Sequence, residues 1–101
     1  TIRGMIPILD IQYGNVWTNI PDTLLKNFTY GDSLNCSIKK KENLVFSGRI
    51  PLVKTFGEVP VGHTMGYYNS LMQFSLAINQ GNFADSFHID NGPEWQIACW
   101  K

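Results

Sequence analysis

The sequence predicts an all-β domain, a small closed or partly open β-barrel of about seven strands with about one or two short helical turns. Three observations carry that prediction. Apolar residues recur at every second position in short runs, as in Leu34, Cys36 and Ile38 and again in Phe74, Leu76 and Ile78. Gly, Pro, Asn and Asp interrupt those runs at short intervals. Helical spacing is confined to short segments.

Taken in order, residues 2–11 read as one strand around Pro7, with the proline at an edge or a bulge. Tyr13-Gly14-Asn15 is a turn signal, and residues 16–20 form a short β-branched and aromatic strand. Pro21 opens a segment in which Leu24, Leu25 and Phe28 have helical spacing, which predicts a short helix over 21–28 covering one mouth of the sheet. Residues 34–38 alternate as a half-buried strand. After the Lys39-Lys40-Lys41 turn, residues 44–46 and 50–53 read as two strand pieces separated by Ser47-Gly48-Arg49. Residues 55–60 form a loop around Phe56. Strands follow at 64–68 and 73–78, joined through the turn-like Asn69-Ser70, and Asn82 is placed to cap a single helical turn through Ser86. Asn91-Gly92-Pro93 is a strong turn before a final strand over 94–101.

The 101 residues fit one domain, and 44% hydrophobic with 13% aromatic residues fill a modest core. Eight basic and eight acidic side chains cancel, so the chain carries no electrostatic footprint for nucleic acid or an anionic membrane. No apolar run approaches the ~18 residues of a membrane span, and the amino end lacks a signal-peptide pattern, so a soluble, cytoplasmic protein is expected. Cys36 and Cys99 fall at alternating positions of apolar runs, as buried thiols in a reducing compartment do; a single disulfide also fits. No His/Cys grouping has metal-ligand spacing, so no metal is expected. The chain opens on an apolar strand without an initiating Met, which reads as a fragment or single domain of a longer protein.

No catalytic motif stands out: there is no GxSxG, GxGxxG or P-loop, and no tight carboxylate pair. The residues do allow a site for a polar, aromatic-bearing small molecule. Tyr13 and Phe56 offer flat surfaces to a purine, while Asp10, Asn15 and Ser70 offer an acceptor, an amide and a hydroxyl to a zwitterion. The strand end at Ile78-Asn79-Gln80 offers main-chain groups to a base edge. Each group has a structural alternative, with Asp10 as a turn residue before Gly14 and Phe56 as a plug of the core.

Three segments together resemble a known family. Tyr13-Gly14-Asn15-Val16-Trp17-Thr18-Asn19-Ile20, Lys54-Thr55-Phe56-Gly57-Glu58-Val59, and Tyr68-Asn69-Ser70 leading to Ala77-Ile78-Asn79-Gln80-Gly81-Asn82 are similar, in order and spacing, to the carboxy-terminal domain of the S-adenosylmethionine hydroxide adenosyltransferase and halogenase family, which includes fluorinating and chlorinating enzymes. The resemblance implies a β-barrel that follows a larger amino-terminal α/β domain, here absent, in a homotrimer whose active site lies between the large domain of one subunit and the small domain of its neighbour. It implies nucleophilic attack by hydroxide or halide on the ribose C5′ of S-adenosylmethionine, which is the substrate, with no separate cofactor.

By position, the resemblance gives Asp10 the methionine ammonium, and puts Tyr13 and Asn15 beside the substrate. It sets Phe56 against adenine, Ser70 at the methionine carboxylate, and the main chain of Ile78 and Gln80 at the adenine edge. Two positions depart from the family pattern. Leu71 stands where halogenating members carry an Arg able to engage the carboxylate, and Met72 stands where Gly suits a left-handed turn, a conformation that costs a non-glycine residue ~1–2 kcal/mol. Loss of the Arg favours the hydroxide branch over a halogenase. The nucleophile-orienting residues belong to the absent domain, so no catalytic residue is expected within 1–101 and the isolated chain is expected to be inactive. The alternative reading is a non-catalytic β-barrel ligand-binding or interaction module that kept the scaffold.

Overall fold

The computed structural model describes all of Thr1–Lys101. It contains eight strands, β1 (Ile2–Ile6), β2 (Ile8–Asp10), β3 (Asn15–Pro21), β4 (Ser33–Lys40), β5 (Asn43–Pro51), β6 (Thr64–Tyr68), β7 (Gln73–Ile78) and β8 (Gly92–Trp100), with one helical turn α1 (Phe83–Phe87). They form two four-stranded sheets, ordered β1-β8-β4-β5 and β2-β3-β7-β6. Every strand pair within them is antiparallel.

The all-β expectation holds, and the barrel does not close. The first sheet has edges at β1 and β5 and the second at β2 and β6. The sheets touch at two corners. At one, the Met5 N–H donates to Asn19 Oδ1 at 2.7 Å. At the other, Leu52 and Gly66 form an isolated parallel bridge, and the Val53 N–H donates to Gly66 O at 2.9 Å. Pro7 explains the first opening. Lacking an N–H, it ends the ladder, so the single strand expected over 2–11 becomes β1 in one sheet and β2 in the other.

Two further expectations change. The pieces expected at 44–46 and 50–53 are one strand, because Ser47, Gly48 and Arg49 pair continuously with Ser37, Cys36 and Asn35 on β4. Cross-strand pairing here outweighs the local tendency of glycine to break a strand. The helix expected over 21–28 is only a 3-10 turn, Asp22–Leu25, which buries Leu25 and leaves Leu24 exposed. Asn82 caps α1 as expected, its Oδ1 accepting from the Asp85 N–H at 2.9 Å.

Alternation places the core between the sheets. Leu34, Cys36, Ile38, Ile97 and Cys99 face Val16, Ile20, Phe74 and Leu76, and Phe83 with Ala84 also joins the cluster. Cys36 lies directly opposite Cys99 across β4 and β8. Both are free, buried thiols with sulfurs 3.5 Å apart. Their hydrogen bond and burial push the Cys36 thiol up, toward the unreactive neutral form.

Met72 adopts the left-handed conformation, φ 57°, that its position in the turn demands. The turn is closed by the Met72 N–H to Asn69 O at 2.9 Å, and Met72 O accepts from the Asp22 N–H at 2.9 Å. Met72→Gly relieves the steric cost while loosening the unfolded chain, so a net stabilisation of about 0.5–1 kcal/mol is expected. It would be read as a higher urea midpoint at unchanged slope.

Candidate functional site

The site begins where β2 turns into β3. Asp10 O accepts from the N–H groups of Tyr13 at 3.2 Å and Gly14 at 2.7 Å, closing a tight turn in which Gly14 has φ 71°. Asp10 and Asn15 are therefore direct cross-strand partners. The chain after β7 locks onto this turn, the Ala84 N–H donating to Gly14 O at 2.9 Å. The turn is held through the main-chain oxygen of Asp10. Its carboxylate is half-buried and takes no part in the side-chain hydrogen bonds or the single ion pair of the chain.

Phe56 arrives on the loop before β6. Glu58 fixes that loop, its carboxylate accepting from the main-chain N–H groups of Lys54 and Thr55, both at 2.8 Å. The ring of Phe56 is 38% exposed and meets the edge of Tyr67 at 5.1 Å, so it covers the outer face of the second sheet instead of plugging the main core. The two N–H bonds hold the Glu58 carboxyl below its ordinary value of 4.5. Because the folded value is depressed, this contribution is fully present above pH 4.5 and is lost as the pH falls through the lower folded value. The Lys54 and Thr55 amide resonances are therefore expected to titrate below pH 4.5, and to stop doing so in Glu58→Gln.

Six residues singled out in the sequence, Asp10, Tyr13, Asn15, Phe56, Ile78 and Gln80, line one hollow with Asn79 and Gly81. Its volume is about 520 Å³, within the range of small-molecule sites. Asp10 is the only charged residue lining it. A larger hollow on the first sheet, about 770 Å³, is lined by Arg3, Lys39 and Lys41 among others and contains none of these residues. Its aromatic and amide content is lower, so it is the weaker candidate for a nucleoside-like ligand.

The main-chain groups at the end of β7 are only partly free. The Asn79 N–H donates to His63 O at 3.0 Å and Asn79 O accepts from Gly62 at 2.9 Å. Ile78 O accepts from Gly81 at 3.0 Å. Gln80, left-handed with φ 57°, has no main-chain hydrogen bond, so its N–H and C=O are the ones open to a partner.

Ser70 and Leu71 do not line this hollow. They sit on the turn at the other end of β6 and β7, roughly 17 Å away along the strand, and Leu71 is 66% exposed. Between the two ends runs a polar row that the sequence reading did not single out. Trp17 pairs across from Ser75, and Ser75 across from Tyr67, so the three share one face. Tyr67 Oη accepts from Asn15 Nδ2 at 3.0 Å and from Trp17 Nε1 at 3.2 Å. Ser75 Oγ, fully buried, accepts from Asn69 Nδ2 at 3.1 Å, and Asn69 Oδ1 accepts from the Leu71 N–H at 2.9 Å. Burial pushes the Tyr67 phenol up, the Trp17 and Asn15 bonds pull it back, and the weaker effects of the nearby Asp10 charge, which raises it, and of Ser75, which lowers it, oppose each other. The signal for Trp17 was available, because β-alternation from Asn15 puts it on the same face.

The architecture and this hollow define a small all-β domain with an aromatic-walled, singly acidic site open at its surface. The chain belongs to the family of SAM hydroxide adenosyltransferase C-terminal domains, whose family model matches residues 4–96. It is similar to fluorinases, at 30% identity over 98 residues for that of Actinopolyspora mzabensis and 30% over 92 residues for that of Actinoplanes sp. (strain N902-109). These alignments cover 96% and 90% of this chain but 32% and 30% of the relatives, so the chain spans about a third of their length. In fold it is similar to an uncharacterized conserved protein from Thermotoga maritima, with TM-score 0.82, 24% identity and coverage of 98% of this chain and 35% of that one. A conserved hypothetical protein from Thermus thermophilus superposes with TM-score 0.66 at 24% identity, over 97% of this chain and 34% of that one. No helix of the structure is long and apolar enough to cross a membrane.

Proposed function

We propose that this domain supplies the adenine and methionine contacts for S-adenosylmethionine in an adenosyltransferase that uses hydroxide as nucleophile. The observation that carries this reading is the Asp10 carboxylate, unpaired within the chain and set beside Tyr13, Asn15 and Phe56. An ammonium group satisfies it by a charge-assisted bond, while the flat rings and the open Gln80 main chain suit a purine. The family pattern gives the methionine carboxylate to Ser70, although its hydroxyl lies on the turn at the far end of the polar row, outside the hollow that Asp10 lines. Leu71, where halogenating enzymes of the family carry Arg, favours hydroxide over halide.

The hollow is open, with Tyr13 on its wall at 58% exposure and Ile11, on the same turn, at 91%. That exposed apolar surface supports completion of the site by an amino-terminal α/β domain from a neighbouring subunit of a homotrimer. The nucleophile is oriented from that domain, so the isolated chain binds weakly and does not turn over. No cofactor is required beyond the substrate. The second reading, a non-catalytic binding or interaction module, is favoured by the exposed Leu71 and Met72, which lack any means of pairing with a carboxylate.

Titration calorimetry with S-adenosylmethionine and with adenosine, on the domain joined to its amino-terminal partner domain, decides between them. Binding of S-adenosylmethionine with release of adenosine and methionine is the expected result. Absence of binding there overturns the enzyme reading.

A further inference from the structure

The lysine turn after β4 is a charged motif that the Asp10 hollow leaves unused, and two of its side chains, Lys39 and Lys41, line the hollow of about 770 Å³ on the first sheet. Cross-strand pairing sets the shape of that hollow. Arg3, Ala98 and Ser37 are partners across β1, β8 and β4, and Met5, Gln96 and Lys39 form the next row on the same face. The other face of these strands carries Cys36, Ile38, Ile97 and Cys99 into the core, so the hollow faces outward. Ala98, on the middle strand, is its low floor. Arg3 and Lys39 rise from the strands on either side, with Cα atoms roughly 12 Å apart from two strand spacings and two residues of rise.

Charge is segregated here although the whole chain is neutral. Three cations line the hollow against one carboxylate, that of Glu42. The single ion pair of the chain joins Lys41 to Glu94 at 3.5 Å, so neither Arg3 nor Lys39 has a carboxylate partner. The neutral lining adds donors in the Ser37 hydroxyl and the Gln96 amide. Asn19 Oδ1 already accepts from the Met5 N–H at 2.7 Å, which leaves its Nδ2 as the end with protons to offer. A concave surface dominated by one sign of charge concentrates the opposite ion.

We propose that this hollow binds a small polyphosphate anion, with Arg3 and Lys39 pairing with different phosphoryl groups and Ser37 and Gln96 donating to the oxygens between them. Two cations held apart on separate strands suit an anion with more than one charged group. No aromatic ring lines the hollow, so the site recognises the phosphates and not a base. The Asp10 hollow shares no residue with it, and the proposal stands independently of the S-adenosylmethionine reading.

Titration calorimetry on the full-length protein carrying this domain, at low ionic strength, compares inorganic triphosphate with inorganic phosphate. Triphosphate is expected to bind the more tightly. Joint replacement Arg3→Gln and Lys39→Gln is expected to weaken it about 3- to 30-fold, as for two exposed ion pairs. Both side chains are exposed, so the thermal melt is expected to stay in place. Joint replacement Lys26→Gln and Lys101→Gln removes the same charge outside the hollow and is expected to change affinity less than about twofold. Ala98→Leu raises the floor at constant charge and is expected to lose triphosphate affinity as well. Absence of triphosphate binding, equal affinity for phosphate, equal losses in the two paired replacements, or unchanged affinity in Ala98→Leu each overturns the proposal. An oligothymidylate that binds more tightly than triphosphate, and depends on Arg3 and Lys39, would assign the face to nucleic acid and overturn it too.

Discussion

Asp10→Asn, in the full-length protein, is expected to weaken S-adenosylmethionine about 10- to 100-fold and adenosine by less than about threefold. Only the first ligand has an ammonium group, and a charge-assisted hydrogen bond contributes about 1.5–3 kcal/mol. The substitution is nearly isosteric. The turn depends on the main-chain oxygen of Asp10, which accepts from Tyr13 and Gly14, so exchanging the side chain leaves the turn intact. The carboxylate has no internal partner whose loss would destabilise the fold. Calorimetry with both ligands checks the result. Equal losses for the two would mean that Asp10 shapes the pocket without pairing with the ammonium.

Much of this site was legible in the sequence because its parts are local. Asp10, Tyr13 and Asn15 belong to one turn, and a turn signal followed by a β-branched strand fixes their spacing. Phe56 lies on a short loop whose Lys54 and Thr55 amides meet Glu58 within four residues, again a local device. What escaped depended on partners distant in sequence. The Asn15–Tyr67 and Trp17–Tyr67 bonds span 52 and 50 residues, and no local pattern announces them. Asn79 looked free at a strand end, yet His63 and Gly62 occupy its main chain. Ser70 was grouped with Asp10 as offering a hydroxyl to one zwitterion, yet the length of β7 separates their turns. Of the closed or partly open barrel expected, the closed form failed for a related reason. Alternation says which face of a strand is buried, while Pro7 decides that β1 and β2 belong to different sheets.

Gly14→Ala is expected to destabilise the domain by about 2–4 kcal/mol, a large part of the margin available to a chain of this size. Two costs add. Gly14 has φ 71°, a conformation that costs an L-residue ~1–2 kcal/mol. A Cβ there would also overlap the Asn82 side chain, whose Oδ1, Cγ and Nδ2 lie against Gly14. Asn82 cannot swing aside freely, because its Oδ1 accepts from the Asp85 N–H at 2.9 Å and caps α1. The displaced turn carries Tyr13 on one side of Gly14 and Asn15 on the other, so ligand affinity falls together with stability. A double-mutant cycle separates the two costs. Asn82→Ala alone loses the cap, about 1 kcal/mol, and in the double variant the overlap disappears while the backbone strain remains. The double variant should therefore be more stable than the sum of the single losses predicts, by about 1 kcal/mol or more in denaturant unfolding. Strict additivity would show that the left-handed backbone alone demands glycine at this position.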